Sequence, residues 1–101
     1  MTGVVHIAQP EAWAAARASG TYRSESLGDE GFMHFSRWDQ LPGTAAAYYE
    51  GVPDLVVLVV DPAGLPFRVE NGFPHLYAEL PVSAVTEVLT LQDALERAGA
   101  S

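Results

Sequence analysis

Apolar positions fall in short runs along this chain, and the spacing within each run predicts an element. Val4-Val5-His6-Ile7-Ala8 is brief and rich in β-branched residues, which predicts a first strand. Pro10 then suits the first turn of a helix, where its missing N–H costs nothing. Alanines around Trp13 and Arg17 carry that helix over residues 11–18, and Gly20 stops it. Residues 22–31 are polar and read as a loop with room for one helical turn. Phe32-Met33-His34-Phe35 predicts a second strand. Alternation sets Met33 and Phe35 on one face, Phe32 and His34 on the other. Ser36 is placed to cap a turn beginning at Arg37. Pro42-Gly43 is expected to interrupt that turn, and Thr44 to cap a short helix over 45–49.

The second half is rich in strands. Residues 54–61 are apolar on both faces, which predicts a central strand in a covered sheet. Phe67-Arg68-Val69-Glu70 alternates, and Asn71-Gly72 is a strong hairpin signal. A return strand is expected over 75–79, after Pro74. Residues 82–89 favour strand, and Thr90 caps a last helix over 91–98 that Gly99 ends. Strands that cluster, rather than alternate with helices, predict an α+β fold: mostly antiparallel sheet with short helices. A doubly wound nucleotide fold is disfavoured. No Gly-x-Gly-x-x-Gly follows the first strand, and there is no phosphate-binding P-loop.

Composition narrows the classes. A chain of 101 residues suits one domain spanning residues 1–101. An apolar fraction of 49% with 18% charged residues is that of a globular protein. All the basic residues are arginines, and the net charge of −8 repels phosphate backbones. Nucleic acid is therefore not expected as a partner, although one local arginine can still hold a nucleotide. The absence of cysteine removes disulfides, thiolate catalysis and cysteine-ligated zinc. The longest apolar run, residues 55–60, is far short of the roughly 20 residues of a membrane span. No basic segment leads into an apolar run at the N-terminus. The expectation is a soluble cytoplasmic protein without a membrane partner.

The chemistry-bearing residues come in pairs. His6, His34 and His75 are spread along the chain, none four apart on a helix, and no metal site is predicted. His34 and Ser36 lie two apart and share a strand face. They either present an imidazole and a hydroxyl to a ligand, or form a satisfied histidine beside a helix cap. No Gly-x-Ser-x-Gly elbow supports a serine hydrolase. Arg68 and Glu70 also share a face. The planar fork of Arg68 suits a phosphate or carboxylate, and Glu70 suits sugar hydroxyls or a base. The alternative is an ion pair on a solvated face. His75 and Tyr77 put two polar-tipped rings on one face, which is unusual for pure core. Tyr22, just after Gly20, is placed to line a cleft, while Tyr48-Tyr49 reads as packing.

Gly31-Phe32-Met33-His34-Phe35-Ser36 and Phe73-Pro74-His75-Leu76-Tyr77 are the two most specific segments. With Val5-His6-Ile7, Trp13, Gly20-Thr21-Tyr22 and Arg68-Val69-Glu70 in the same order, the chain resembles a small bacterial family, domain of unknown function 952. The resemblance runs from about residue 4 to about residue 89, leaving the last helix outside it. It implies a compact α+β domain similar to the ADP-ribosyltransferase fold, but no established reaction. By analogy it implies NAD or ADP-ribose as ligand. His34 takes the ribose role with Ser36 in support. Tyr22 or Tyr77 stacks on a ring, Arg68 meets a phosphate, and Glu70 is the catalytic acid. Family members continue the second segment with Gly-Pro. Here it is Ala78-Glu79, which makes Glu79 another candidate acid. Three functions follow as expectations: a cleft that binds a small molecule, a transferase or NAD-cleaving enzyme, or a structural protein whose polar groups satisfy one another.

Overall fold

A computed structural model describes residues 3–99. The chain runs β1 (Val4–Ala8), α1 (Pro10–Ser19), β2 (Thr21–Tyr22), α2 (Glu25–Glu30) and β3 (Met33–His34). A 3₁₀ turn, Trp38–Gln40, leads into α3 (Leu41–Tyr48). Then come β4 (Val56–Val60), β5 (Phe67–Glu70), β6 (Phe73–Leu76), β7 (Leu80–Pro81), β8 (Val85–Thr90) and α4 (Leu91–Gly99).

The doubly apolar run becomes β4, the middle strand of an antiparallel sheet ordered β1-β4-β8. Both faces are covered. Val4, Ala8, Leu58 and Val60 pack toward Phe35, Met33 and Tyr22, whereas Val5, Ile7, Val57 and Val59 pack under Leu41, Ala45 and Ala94 of the helices. A second antiparallel sheet is ordered β3-β6-β5, and β2 pairs with β7 alone. All these pairings are antiparallel, so the α+β reading holds for the described residues.

Helix ends follow the punctuation. Pro10 opens α1, and Gly20 closes it at φ 94°, the left-handed value that a Cβ disfavours. Thr90 caps α4 by accepting the Asp93 N–H at 3.1 Å. No helix among the described residues is long and apolar enough to cross a membrane.

Four expectations need correction. The polar stretch after Gly20 is not mainly loop: Thr21–Tyr22 pairs with Leu80–Pro81, and Glu25–Glu30 is helical with Leu27 turned to the core. Pro42-Gly43 does not interrupt a helix, because Pro42 lies in the first turn of α3, where no N–H is required. Ser36 does not cap the next turn. It exchanges backbone hydrogen bonds with Val5, both 2.8 Å, and the side chain of Gln40 accepts the Arg37 N–H instead. The return strand occupies Phe73–Leu76 rather than 75–79, so Pro74 lies inside it.

Pro74 explains how the two larger sheets meet. Phe35 donates its N–H to the Pro74 carbonyl at 3.0 Å, and Pro74 has no N–H to return. The ladder with β6 stops there. At the next residue the chain transfers to β1 through the Val5–Ser36 bridge. The segment from Met33 to Ser36 thus crosses from one sheet to the other.

Candidate functional site

That crossing leaves a gap beside β1, and the gap is a cleft of about 550 Å³. His34, Phe35 and Ser36 line one wall. Phe73, His75 and the hairpin residue Asn71 supply another, while Thr44, Tyr48 and Tyr49 come from α3 and its end. The floor is β1, at Val5, His6 and Ile7. No arginine, aspartate or glutamate lines it.

Strand register sets the side chains. Arg68, His75 and His34 stand directly opposite one another across β5, β6 and β3, forming one row on one sheet face. Phe67, Leu76 and Met33 form the neighbouring row on the opposite face. Around the first row the rings cluster: Phe32 meets His75 at 4.5 Å, His34 at 5.0 Å and Tyr77 at 5.5 Å between centroids. The His34 and His75 rings are 5.5 Å apart. The guanidinium of Arg68 lies 5.5 Å over the Tyr77 ring.

The floor is fixed by a buried polar chain. His6 donates its Nδ1–H to the His34 carbonyl at 2.6 Å, which leaves Nε2 to accept the Tyr22 hydroxyl at 3.0 Å. Burial pushes the His6 pKa down to about 4, against the opposing pull of that carbonyl. Burial likewise pushes Tyr22 up to about 12. The imidazole is therefore neutral and the phenol protonated at neutral pH, as this pair of hydrogen bonds requires.

His75 donates Nδ1–H to its own strand's Phe73 carbonyl at 2.8 Å. The exposed side chain of His34 reaches the Glu30 carboxylate at 3.1 Å through Nε2. Ser36 Oγ is 3.2 Å from Thr44 Oγ1. The hairpin wall is latched from outside: Arg37 Nη1 and Gln40 Nε2 both donate to the Gly72 carbonyl, at 3.0 and 2.6 Å.

One more group faces the cleft. Val5 turns its N–H and C=O away from β4, toward Ser36. Antiparallel backbone groups alternate sides, so those of Ile7 turn the same way, past the end of the bridge. No described residue pairs with them.

The candidate residues thus divide. His34, Ser36 and His75 line the cleft. Tyr22 lies beneath it, 3% exposed, with its hydroxyl committed to His6, so the expectation that it lines the cleft is corrected. Arg68 and Tyr77 stand on the same sheet face beyond the lining. Glu70 shares their face at the exposed end of β5, opposite Phe73, and does not line the cleft either. Glu79 sits 3.8 Å from Arg23. Sequence reasoning missed Thr44, Asn71 and Phe73 as lining, and Glu30 as the carboxylate on His34. It also read Tyr48 as packing, yet Tyr48 is 78% exposed at the cleft. Among the described residues, no three histidine or carboxylate side chains are placed to hold a metal ion.

Residues 7–88 match the model of a family described as "Protein of unknown function (DUF952)", and the chain belongs to that family. It is also similar to the protein CC0527 from Caulobacter crescentus. The crystal structure of CC0527 is 36% identical, with a TM-score of 0.78 over 88% of this chain and 85% of that one. A crystal structure of its double mutant gives 34% identity and a TM-score of 0.79 over the same shares. Its solution structure gives 38% and 0.73 over 87% and 83%. No curated protein matches the chain.

Proposed function

We propose that this protein binds a nucleotide of the NAD or ADP-ribose kind in the cleft beside β1. The observation that carries the reading is the row His34–His75–Arg68. It begins inside the cleft and ends on a guanidinium that forms no ion pair with any described residue. Strands are about 4.8 Å apart, so the row spans about 10 Å, the scale of a ribose followed by a diphosphate. Sugar sits at the imidazoles, phosphate at Arg68, and a ring lies against Phe73 and Tyr48. The open N–H and C=O of Ile7 suit the carboxamide of a nicotinamide or the amide edge of a base. Similarity to the ADP-ribosyltransferase fold, implied by the family's sequence segments, points to the same ligands but rests on analogy of fold.

Thermal melts against NAD, ADP-ribose and nicotinamide test it. Ligand at about 100 times its Kd stabilises by about 2.7 kcal/mol, or about 10 °C or more for a domain of this size. The shift is expected to vanish in His34→Ala. No shift with any of the three overturns the reading.

The contact between Glu30 and His34 favours a second reading, cleavage at the ribosyl carbon. Nicotinamide leaves with the electron pair of its bond to the ribosyl carbon, a carboxylate steadies the oxocarbenium-like centre, and water adds to that carbon with loss of a proton. In that reading Glu30→Gln removes nicotinamide release from NAD while Glu70→Gln keeps it, measured by chromatography. Loss in Glu70→Gln alone returns the acid role to Glu70.

A further inference from the structure

His75 is a polar group of the cleft with one ring nitrogen committed and the other open. It is 7% exposed, yet it lines the cleft. Its Nδ1 faces the Phe73 carbonyl at 2.8 Å, and a carbonyl only accepts, so in the neutral ring Nδ1 carries the proton. Nε2, at the tip of the ring, is then a lone-pair acceptor. No described residue donates to it. Phe32 and His34 pack their rings around it at 4.5 and 5.5 Å, which holds the imidazole in place without supplying a donor. His34 repeats the pattern with its nitrogens exchanged: Nε2 lies on Glu30, which accepts a proton-bearing nitrogen, so in the neutral ring Nδ1 is the acceptor.

We infer that His75 and His34 form a pair of acceptors that selects a hydrogen-bond donor from the ligand, namely the hydroxyls of a sugar ring, and excludes phosphate and carboxylate from this end of the cleft. The inference rests on the nucleotide reading above for the identity of the sugar, a ribosyl group, but not for the donor rule. An anion here would set its lone pairs against that of Nε2, with no arginine in the lining to compensate. A hydroxyl donates to Nε2, an acceptor to which no described residue donates. The row of residues therefore has a polarity: hydroxyls at the imidazoles, charge at Arg68.

The imidazole ¹⁵N spectrum of the whole protein tests the rule directly. The neutral ring of His75 is expected as the Nδ1–H tautomer. Its Nε2 resonance is expected to move with ADP-ribose and with D-ribose at high concentration, and to stay fixed with inorganic phosphate. An Nε2–H tautomer, or a response to phosphate without one to ribose, overturns the inference. Binding of ADP-ribose relative to ADP, which lacks the second ribose, gives the energetic arm. His75→Leu is expected to remove an advantage of about tenfold. His75→Gln, whose amide oxygen replaces Nε2 as acceptor, is expected to keep part of it. An advantage that survives in a folded His75→Leu also overturns the inference. Should neither nucleotide bind while D-ribose still moves Nε2, the nucleotide reading fails and the donor rule stands.

Discussion

His6 was one of three scattered histidines in the sequence, and the structure makes it the hinge of the cleft floor. It joins the His34 carbonyl to Tyr22 across β1, β3 and β2. Burial lowers its pKa from 6.5 to about 4. Between those values the unfolded chain takes up a proton that the folded chain refuses. This contribution is fully present above about pH 6.5 and is lost as pH falls toward 4. It amounts to roughly 3 kcal/mol at most. Urea titrations at pH 7 and pH 5 should show wild type losing stability across that interval, with His6→Asn losing much less. Equal slopes would mean that His6 is not buried neutral. Tyr22→Phe removes the donor to Nε2 and should cost about 1–3 kcal/mol; a denaturation midpoint unchanged in that variant would count against the buried pair. Neither partner's role is legible locally, because sixteen residues separate them in sequence.

At the scale of elements, the parts with a strong local signal are the parts the sequence predicts. The doubly apolar β4, the Asn71-Gly72 hairpin and the Thr90 cap each depend on a few adjacent residues. The Thr90 cap is separately testable. Thr90→Ala should destabilise by about 1 kcal/mol and Thr90→Ser by much less, read from chemical denaturation. Legibility fails where pairing across the molecule decides. Thr21–Tyr22 is a strand only because Leu80–Pro81 lies beside it. Ser36 has the composition of a cap, but the missing N–H of Pro74 sends it to Val5. The site follows the same division. Alternation alone put His34 with Phe32, Arg68 with Glu70, and His75 with Tyr77 on common faces. Strand register then merges these faces into one. What alternation cannot supply is depth, so Tyr22 lies too deep and Glu70 too far out. The latch on the hairpin was equally hidden, since Arg37 and Gln40 meet Gly72 only after folding. Gln40→Ala should speed amide exchange at Gly72 and Phe73 and weaken ADP-ribose binding, while moving the melting temperature little. A large loss of stability with unchanged exchange would make Gln40 a packing residue instead.

For the whole molecule, charge sets how the anionic nucleotide proposed above would arrive. The chain carries −8, and its principal extents are 30 × 28 × 25 Å. At about 10 mM salt the Debye length is about 30 Å, so a ligand at the cleft senses the entire net charge. At about 100 mM it is about 10 Å, and only the neighbourhood of the row remains, Arg68 included. The cleft lining holds no arginine, aspartate or glutamate. Raising the salt over this range should therefore tighten ADP-ribose binding a few-fold, the reverse of the trend at a basic phosphate site. Neutral nicotinamide should bind with no salt dependence. Arg68→Ala should weaken ADP-ribose at both salts and leave nicotinamide alone, because it removes the local attraction without changing the cleft. Calorimetric titration at the two salt concentrations separates the cases. Affinity for ADP-ribose that falls with salt would mean that a local cationic site outweighs the global field, and that the phosphates rest on more than the one arginine the row provides.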